Sequence, residues 1–142
     1  MWGKLDPSVE QAVEAATSLE IALPIKLRNP ITIYHNPRCG KSRAALALLQ
    51  EHGLEPLVIE YLKQPPTKEQ LGALTGKLGI RPEQLVRKSE EVYKQKYKDK
   101  ALSDEQWLTA LADNPILIER PIVVLGERAV IGRPLEKVLE LL

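Results

Sequence analysis

Ile31-Thr32-Ile33-Tyr34-His35-Asn36-Pro37-Arg38-Cys39-Gly40-Lys41-Ser42-Arg43 is the stretch on which the fold turns. Ile31 to Tyr34 is a β-branched and aromatic run, which predicts a short strand, and Asn36-Pro37 ends it. Ser42 to His52 predicts a helix: Ala44, Ala45, Leu46, Ala47, Leu48 and Leu49 are strong formers, and Gly53 stands where a C-terminal cap belongs. Leu57 to Leu62 then predicts a second strand, closed by Pro65-Pro66. A strand, a helix and a strand within roughly 30 residues form a βαβ unit.

Outward from that unit the period changes twice. Thr67-Lys68-Glu69-Gln70 is a capping-box pattern, followed by Leu71, Leu74 and Leu78 on one helical face and Gly79 at its end. Arg81-Pro82 restarts a helix through Leu85 and Val86. Residues 88–100 are polar and lysine-rich, and Lys94, Lys96, Lys98 and Lys100 are expected on a solvated face. Ser103-Asp104-Glu105-Gln106 is a second capping box, opening a helix with Trp107, Leu108 and Leu111 inward that stops at Asn114-Pro115. Ile122 to Leu125 and Ala129 to Ile131 predict two strands around a turn at Gly126-Glu127-Arg128. Pro134 is expected in the first turn of a final helix carrying Leu135, Val138, Leu139 and Leu142. The order is βαβ, several helices, ββα, an α/β chain with no internal repeat. Residues 1–29 differ from the rest: Val9, Ala12, Val13 and Ala16 share one face of a helix opened by Pro7-Ser8, and a basic connector follows Pro24. They are expected to be an N-terminal extension, with residues 30–142 as the single domain.

Composition removes whole classes of function. With 142 residues the chain can bury one real core. Hydrophobic residues at 44% argue against disorder. Twenty Lys and Arg against 19 Asp and Glu give a net charge of +1, which supplies no reason to expect nucleic acid or an anionic membrane as partner. No apolar run is long enough for a membrane span, and acidic residues interrupt the N-terminal segment where a signal peptide would need apolar ones. A cytoplasmic location is the default expectation. The single cysteine, Cys39, and two histidines exclude an internal disulfide and make a metal site unexpected.

Cys39 is therefore the candidate for chemistry. Three familiar motifs fail around it. A phosphate-binding P-loop ending at Gly40-Lys41-Ser42 would need glycine where His35 stands. A cysteine-phosphatase loop would need arginine where Ala45 stands, and a dithiol redox motif would need cysteine where Ser42 stands. What survives is the cysteine's position between a strand and a helix N-terminus. Free N–H groups and the helix dipole favour negative charge there, so the thiol pKa should fall and its nucleophilicity rise. Arg38, Lys41 and Arg43 flank it, and the Ser42 hydroxyl can bond the thiolate or cap the helix. A buried filler cysteine is the bland alternative, but it would not ordinarily sit among Pro37, Arg38, Gly40 and Lys41 at a loop-to-helix junction. Arg87, Arg120 and Arg133 each stand at an element boundary, and guanidinium forks suit a tetrahedral oxyanion. Spacing alone does not bring them together.

The segments from His35 to Arg43, Leu85 to Lys88, Glu119 to Val124 and Ile131 to Pro134 together resemble the glutaredoxin-coupled arsenate reductase family, from about Ile31 to Leu142. The resemblance implies a thioredoxin-like mixed β-sheet flanked by helices, with a helical insertion between the βαβ and ββα halves. It implies Cys39 as nucleophile, His35 near the thiolate keeping its pKa low, Arg87, Arg120 and Arg133 as the oxyanion-binding arginines, and Pro121 at the fold's cis-proline position. It also implies glutaredoxin as partner and glutathione as reducing co-substrate, with no bound cofactor and no metal. Lys41 departs from the threonine usual in that family, and residues 1–29 have no counterpart in its pattern. Two other readings remain on the same fold: a regulator resembling the Spx type, which commonly uses a Cys-x-x-Cys switch that Ser42 removes, and a glutathione-linked thiol transferase, suggested by the likeness of Cys39-Gly40-Lys41-Ser42 to a monothiol glutaredoxin motif.

Overall fold

Alternation along the first strand organises the whole molecule. The computed structural model describes residues 30–142, so the extension expected over 1–29 lies outside the described residues. Strand β1 (Ile31–His35) buries Ile31, Ile33 and His35, while Tyr34 on its other face is partly covered. Successive residues of a strand face opposite sides, so both faces of β1 are packed. Helix α1 (Gly40–Glu51) follows, then strand β2 (Leu57–Glu60), parallel to β1. Strands β3 (Ile122–Leu125) and β4 (Arg128–Ile131) complete an antiparallel hairpin on the other side of β1. The sheet order is β2-β1-β3-β4. This mixed sheet, flanked by helices, is the thioredoxin-like arrangement.

Two cores lie on the two faces. Ile31, Ile33, Val123 and Leu125 pack under Ala45 and Leu49 of α1 and under Val138 and Leu141 of the C-terminal segment. Ile122 and Ala129 face the insertion, where Leu71, Leu74, Trp107 and Leu111 close the larger core. The insertion holds helices α2 (Lys68–Leu78), α3 (Glu91–Lys96) and α4 (Asp104–Asp113). Both predicted capping boxes are formed. Thr67 Oγ1 accepts from the Gln70 amide while Gln70 Oε1 accepts from the Thr67 amide, and Ser103 and Gln106 repeat the pattern. Gly79 closes α2 in the left-handed region, which only glycine enters without steric cost. The four lysines from Lys94 to Lys100 are exposed.

Two expected helices are tighter and shorter. Pro82–Leu85 is a single 3-10 turn, and Val86 leaves it to bridge Ile118 in an antiparallel pair. The C-terminal segment Leu135–Leu141 is also 3-10, with Pro134 extended before it rather than inside its first turn. Its inward residues explain the winding: Leu135, Val138 and Leu141 are three apart, the repeat of a 3-10 helix rather than an α-helix. Strand β2 ends at Glu60, two residues earlier than expected, and Tyr61 turns wholly inside.

Candidate active site

The turn between β1 and α1 is held by its own polar groups. The Cys39 amide donates to the Asn36 carbonyl at 2.9 Å, and the Arg38 amide donates to Asn36 Oδ1 at 3.0 Å. Ser42, fully buried, ties the turn to the helix: its Oγ accepts from the Asn36 amide at 3.0 Å and bonds His35 Nδ1 at 2.7 Å. The Ser42 hydroxyl thus bonds within the turn, to His35 and Asn36, and does not cap the helix. Burial pushes the His35 pKa down, with the Arg43 charge adding to it against the opposing Glu60 carboxylate and the Ser42 bond. Burial thus disfavours the charged imidazole, and His35 is tied to the turn through Ser42.

Cys39 is the N-cap residue of α1 and is partly exposed. No side chain caps this helix and its first turn holds no acidic residue. Burial is the largest single influence on the thiol and pushes its pKa up. The nearby Ser42 amide, Arg120 guanidinium and Lys41 amide, together with the Arg120 charge, favour the thiolate and outweigh it, and the net direction is down. Arg133 Nη2 adds a further donor 3.5 Å from the sulfur.

Tertiary pairing brings the arginines in. Gly132 donates from its amide to the Pro121 carbonyl at 2.8 Å. A Cβ there would lie 3.0 Å from Pro121 Cγ and 3.1 Å from Val138 Cγ2, so glycine permits the approach of the two chain segments. Arg133 Nε then donates to the Arg120 carbonyl at 2.6 Å, which locks the two arginine-bearing loops together. The Arg120-Pro121 and Arg133-Pro134 bonds are both cis, the first at the position the family resemblance implied. Arg87 arrives separately: its amide donates to the Leu117 carbonyl at 2.7 Å and the Glu119 amide donates to Leu85 at 2.8 Å. These bonds flank the Val86–Ile118 bridge and set Arg87 beside Glu119.

Arg120 and Arg133 therefore converge on Cys39, whereas Arg87 reaches the group only through a carboxylate. Glu90 Oε1 accepts from Arg87 Nε at 3.3 Å and lies 3.7 Å from Arg120 Nη1. Three residues that sequence reasoning left without a role line the site: Asn36, Tyr61 and Glu90. The Tyr61 hydroxyl and the Nε and Nη1 of Arg120 are buried and have no hydrogen-bond partner. Burial raises the Tyr61 pKa against the pull of Arg120 and Asn36, so the phenol stays protonated. Tyr61 lies inside the stretch predicted as the second strand and just after the observed one, and nothing in its neighbours marks it; Glu90 lies within a polar stretch where a carboxylate is unremarked.

The assembly can hold an anion against a nucleophilic sulfur. Among the described residues, no helix is long and apolar enough to cross a membrane, and no group of three or more His, Cys, Asp or Glu side chains could hold a metal ion.

Comparison with known proteins gives one answer. The family model described as the ArsC family matches residues 34–141. The chain is 44% identical over 110 residues to an arsenate reductase of Neisseria meningitidis, covering 76% of this chain and 94% of that one. It is 48% identical over 113 residues to the uncharacterized protein YfgD of Escherichia coli K12, covering 78% and 95%. Its structure matches an arsenate reductase from Vibrio cholerae with a TM-score of 0.77 at 46% identity, covering 80% of this chain and 98% of that one.

Proposed function

The chain belongs to the ArsC family, and from that premise we propose that it reduces arsenate to arsenite at Cys39, with outside thiols as the electron source. One observation carries the reading. The only cysteine of the chain caps a helix that has no other cap, and two arginines from separate loops reach it.

In the proposed reaction Arg120 and Arg133 hold oxygens of the tetrahedral anion beside the sulfur, and Arg87 completes the rim. The Cys39 thiolate attacks arsenic, an As–S bond forms, an As–O bond breaks, and the departing oxygen takes up protons and leaves as water. Arsenic is still pentavalent in this adduct. Glutathione then displaces a second oxygen as water, the glutaredoxin thiolate attacks the glutathione sulfur so that the As–S pair stays on arsenic and the two outside thiols end as a disulfide, and water replaces Cys39 on the trivalent arsenic to release arsenite. Cys39 is regenerated. With no second cysteine in 142 residues, the resolving thiol must come from another molecule. Fixed cationic donors around the developing charge supply much of the rate gain. His35 and Ser42 are positioning residues in this scheme, since they shape the turn that presents Cys39, and Pro121 shapes the loop that carries Arg120.

The test is arsenate-dependent NADPH oxidation with glutathione, glutaredoxin and glutathione reductase. The expected result is turnover that needs every component. A rate no higher than the blank sinks the proposal, and a regulatory or thiol-transferase paralogue then becomes the better account.

A further inference from the structure

Two of the three rim arginines already have an anion between them. Glu90 Oε1 is hydrogen-bonded to Arg87 Nε at 3.3 Å and stands 3.7 Å from Arg120 Nη1. All three side chains are largely shielded, at 24% exposure for Glu90, 16% for Arg87 and 12% for Arg120. Arg87 has a second carboxylate, Glu119, at 4.0 Å. Arg120 has no carboxylate other than Glu90 within salt-bridge distance among the described residues. The Arg120 Nη1 that faces Glu90 is too far for a hydrogen bond and has no other partner. Its pairing with Glu90 is loose, while Arg87 holds the carboxylate in place.

We propose that Glu90 is an internal occupant of the anion site and sets its selectivity: its carboxylate oxygen stands where an oxygen of a tetrahedral oxyanion would otherwise bridge Arg87 and Arg120. This rests on the reading of the rim as an oxyanion site. An incoming anion must displace Glu90 or bind beside its negative charge. Either way, an anion held by charge alone, such as inorganic phosphate, is held weakly. An anion that Cys39 can capture covalently has a second source of binding that phosphate lacks. The carboxylate therefore keeps the site from being filled by an oxyanion that the thiolate cannot attack. The unpartnered N–H groups of Arg120 remain available to the anion that does displace it.

The test uses the full chain and inorganic phosphate as the probe, reading protection of Cys39 against the neutral alkylating reagent iodoacetamide at one fixed pH near neutrality. Glu90→Gln keeps the shape and removes the charge. It should lower the half-protecting phosphate concentration about tenfold, the low end of what a charge-assisted hydrogen bond contributes. Glu91→Gln removes the exposed charge of the next residue, the first of α3, and should move it less than about twofold, since exposed charges are screened. Glu90→Asp, which draws the carboxylate back, should fall between wild type and Glu90→Gln. An unchanged or weaker hold on phosphate in Glu90→Gln overturns the proposal and makes Glu90 a brace for the arginines. So does a shift of equal size in Glu91→Gln. Because phosphate is not reduced, the result is independent of the arsenate assay: an inactive wild type whose phosphate protection still tightens in Glu90→Gln defeats the reductase reading and leaves the role of Glu90 standing.

Discussion

Helices α1 and α2 begin in opposite ways. At α2 the Thr67 and Gln70 side chains pair with each other's amides, and Glu69 adds a negative charge to the first turn. Two of the orphan N–H groups are consumed locally, and the helix start is a stability device. At α1 the N-cap is Cys39, whose side chain accepts no capping bond, and no acidic residue follows in the first turn. The Lys41 and Ser42 amides lie near the sulfur instead and help hold the thiol pKa down. The same orphan groups thus close off one helix and activate a thiol on the other. An electropositive helix start is general; what distinguishes α1 is that neither a side-chain cap nor an acidic residue of its own first turn takes it up.

The largest expected effect breaks the comparison at its centre. Cys39→Ser keeps a potential cap and removes the nucleophile. Glutathione-dependent arsenate reduction should fall roughly a thousandfold or more, to background, as losses of a nucleophile do elsewhere. Retained reduction in that variant would mean that the chemistry runs elsewhere. Next is Arg120→Lys, which keeps the charge but loses the planar fork. A lost charge-assisted hydrogen bond suggests a rise in KM for arsenate of about tenfold to a hundredfold. The Cys39 pKa should rise as well, because Arg120 is among the groups that hold it down. An Arg120→Lys enzyme with wild-type KM would remove Arg120 from the rim.

The acidity of Cys39 sharpens the comparison without a mutation. Its rate of alkylation follows the thiolate fraction, so the midpoint against pH should lie below about 8.5, the free-thiol value. The sign for stability follows from the same shift. The folded state favours the thiolate, so the contribution is fully present above the unfolded thiol's pKa and is lost as pH falls through the lower folded value. His35 is shifted down as well, but as a base it acts in the other form. The unfolded chain takes up its proton first, and stability falls as pH drops through about 6.5, the unfolded histidine value. Alkylation with a midpoint at or above that of a free thiol would return Cys39 to the role of filler.

What could be read in the sequence was what is local. The strand, turn, cysteine and helix start lie between Ile31 and Arg43, and their signals are short-range; both capping boxes are set by a spacing of three. The helical insertion and the ββα end followed from changes of period. Reading failed where a distant partner decides. Val86 is drawn out of its turn by Ile118, and the C-terminal segment winds as 3-10 to meet the sheet with residues three apart. The convergence of Arg120 and Arg133 depends on Gly132 closing on Pro121, a contact no spacing encodes. His35 and Ser42, expected beside the thiolate, bond each other through their side chains, while the Ser42 amide helps hold the thiol pKa down. Tyr61 and Glu90 belong to no motif, and only burial and proximity to Arg120 single them out.

The smallest expected effect tests whether the two helix starts are independent. Thr67→Ala removes one half of the α2 capping box on an exposed surface. It should lower the free energy of unfolding by about 1 kcal/mol, measured by denaturant titration. Thr67 belongs to none of the groups that act on Cys39, and α2 covers the opposite core from α1. The alkylation midpoint of Cys39 should therefore not move. If the midpoint rises along with the loss of stability, the acidity of Cys39 depends on global rigidity rather than on the local N–H groups and arginines. If stability is unchanged, the capping box at α2 does no more than the bare start at α1. The distinction between a helix start that stabilises and one that activates requires both results together: lost stability at α2 and an unmoved thiol at α1.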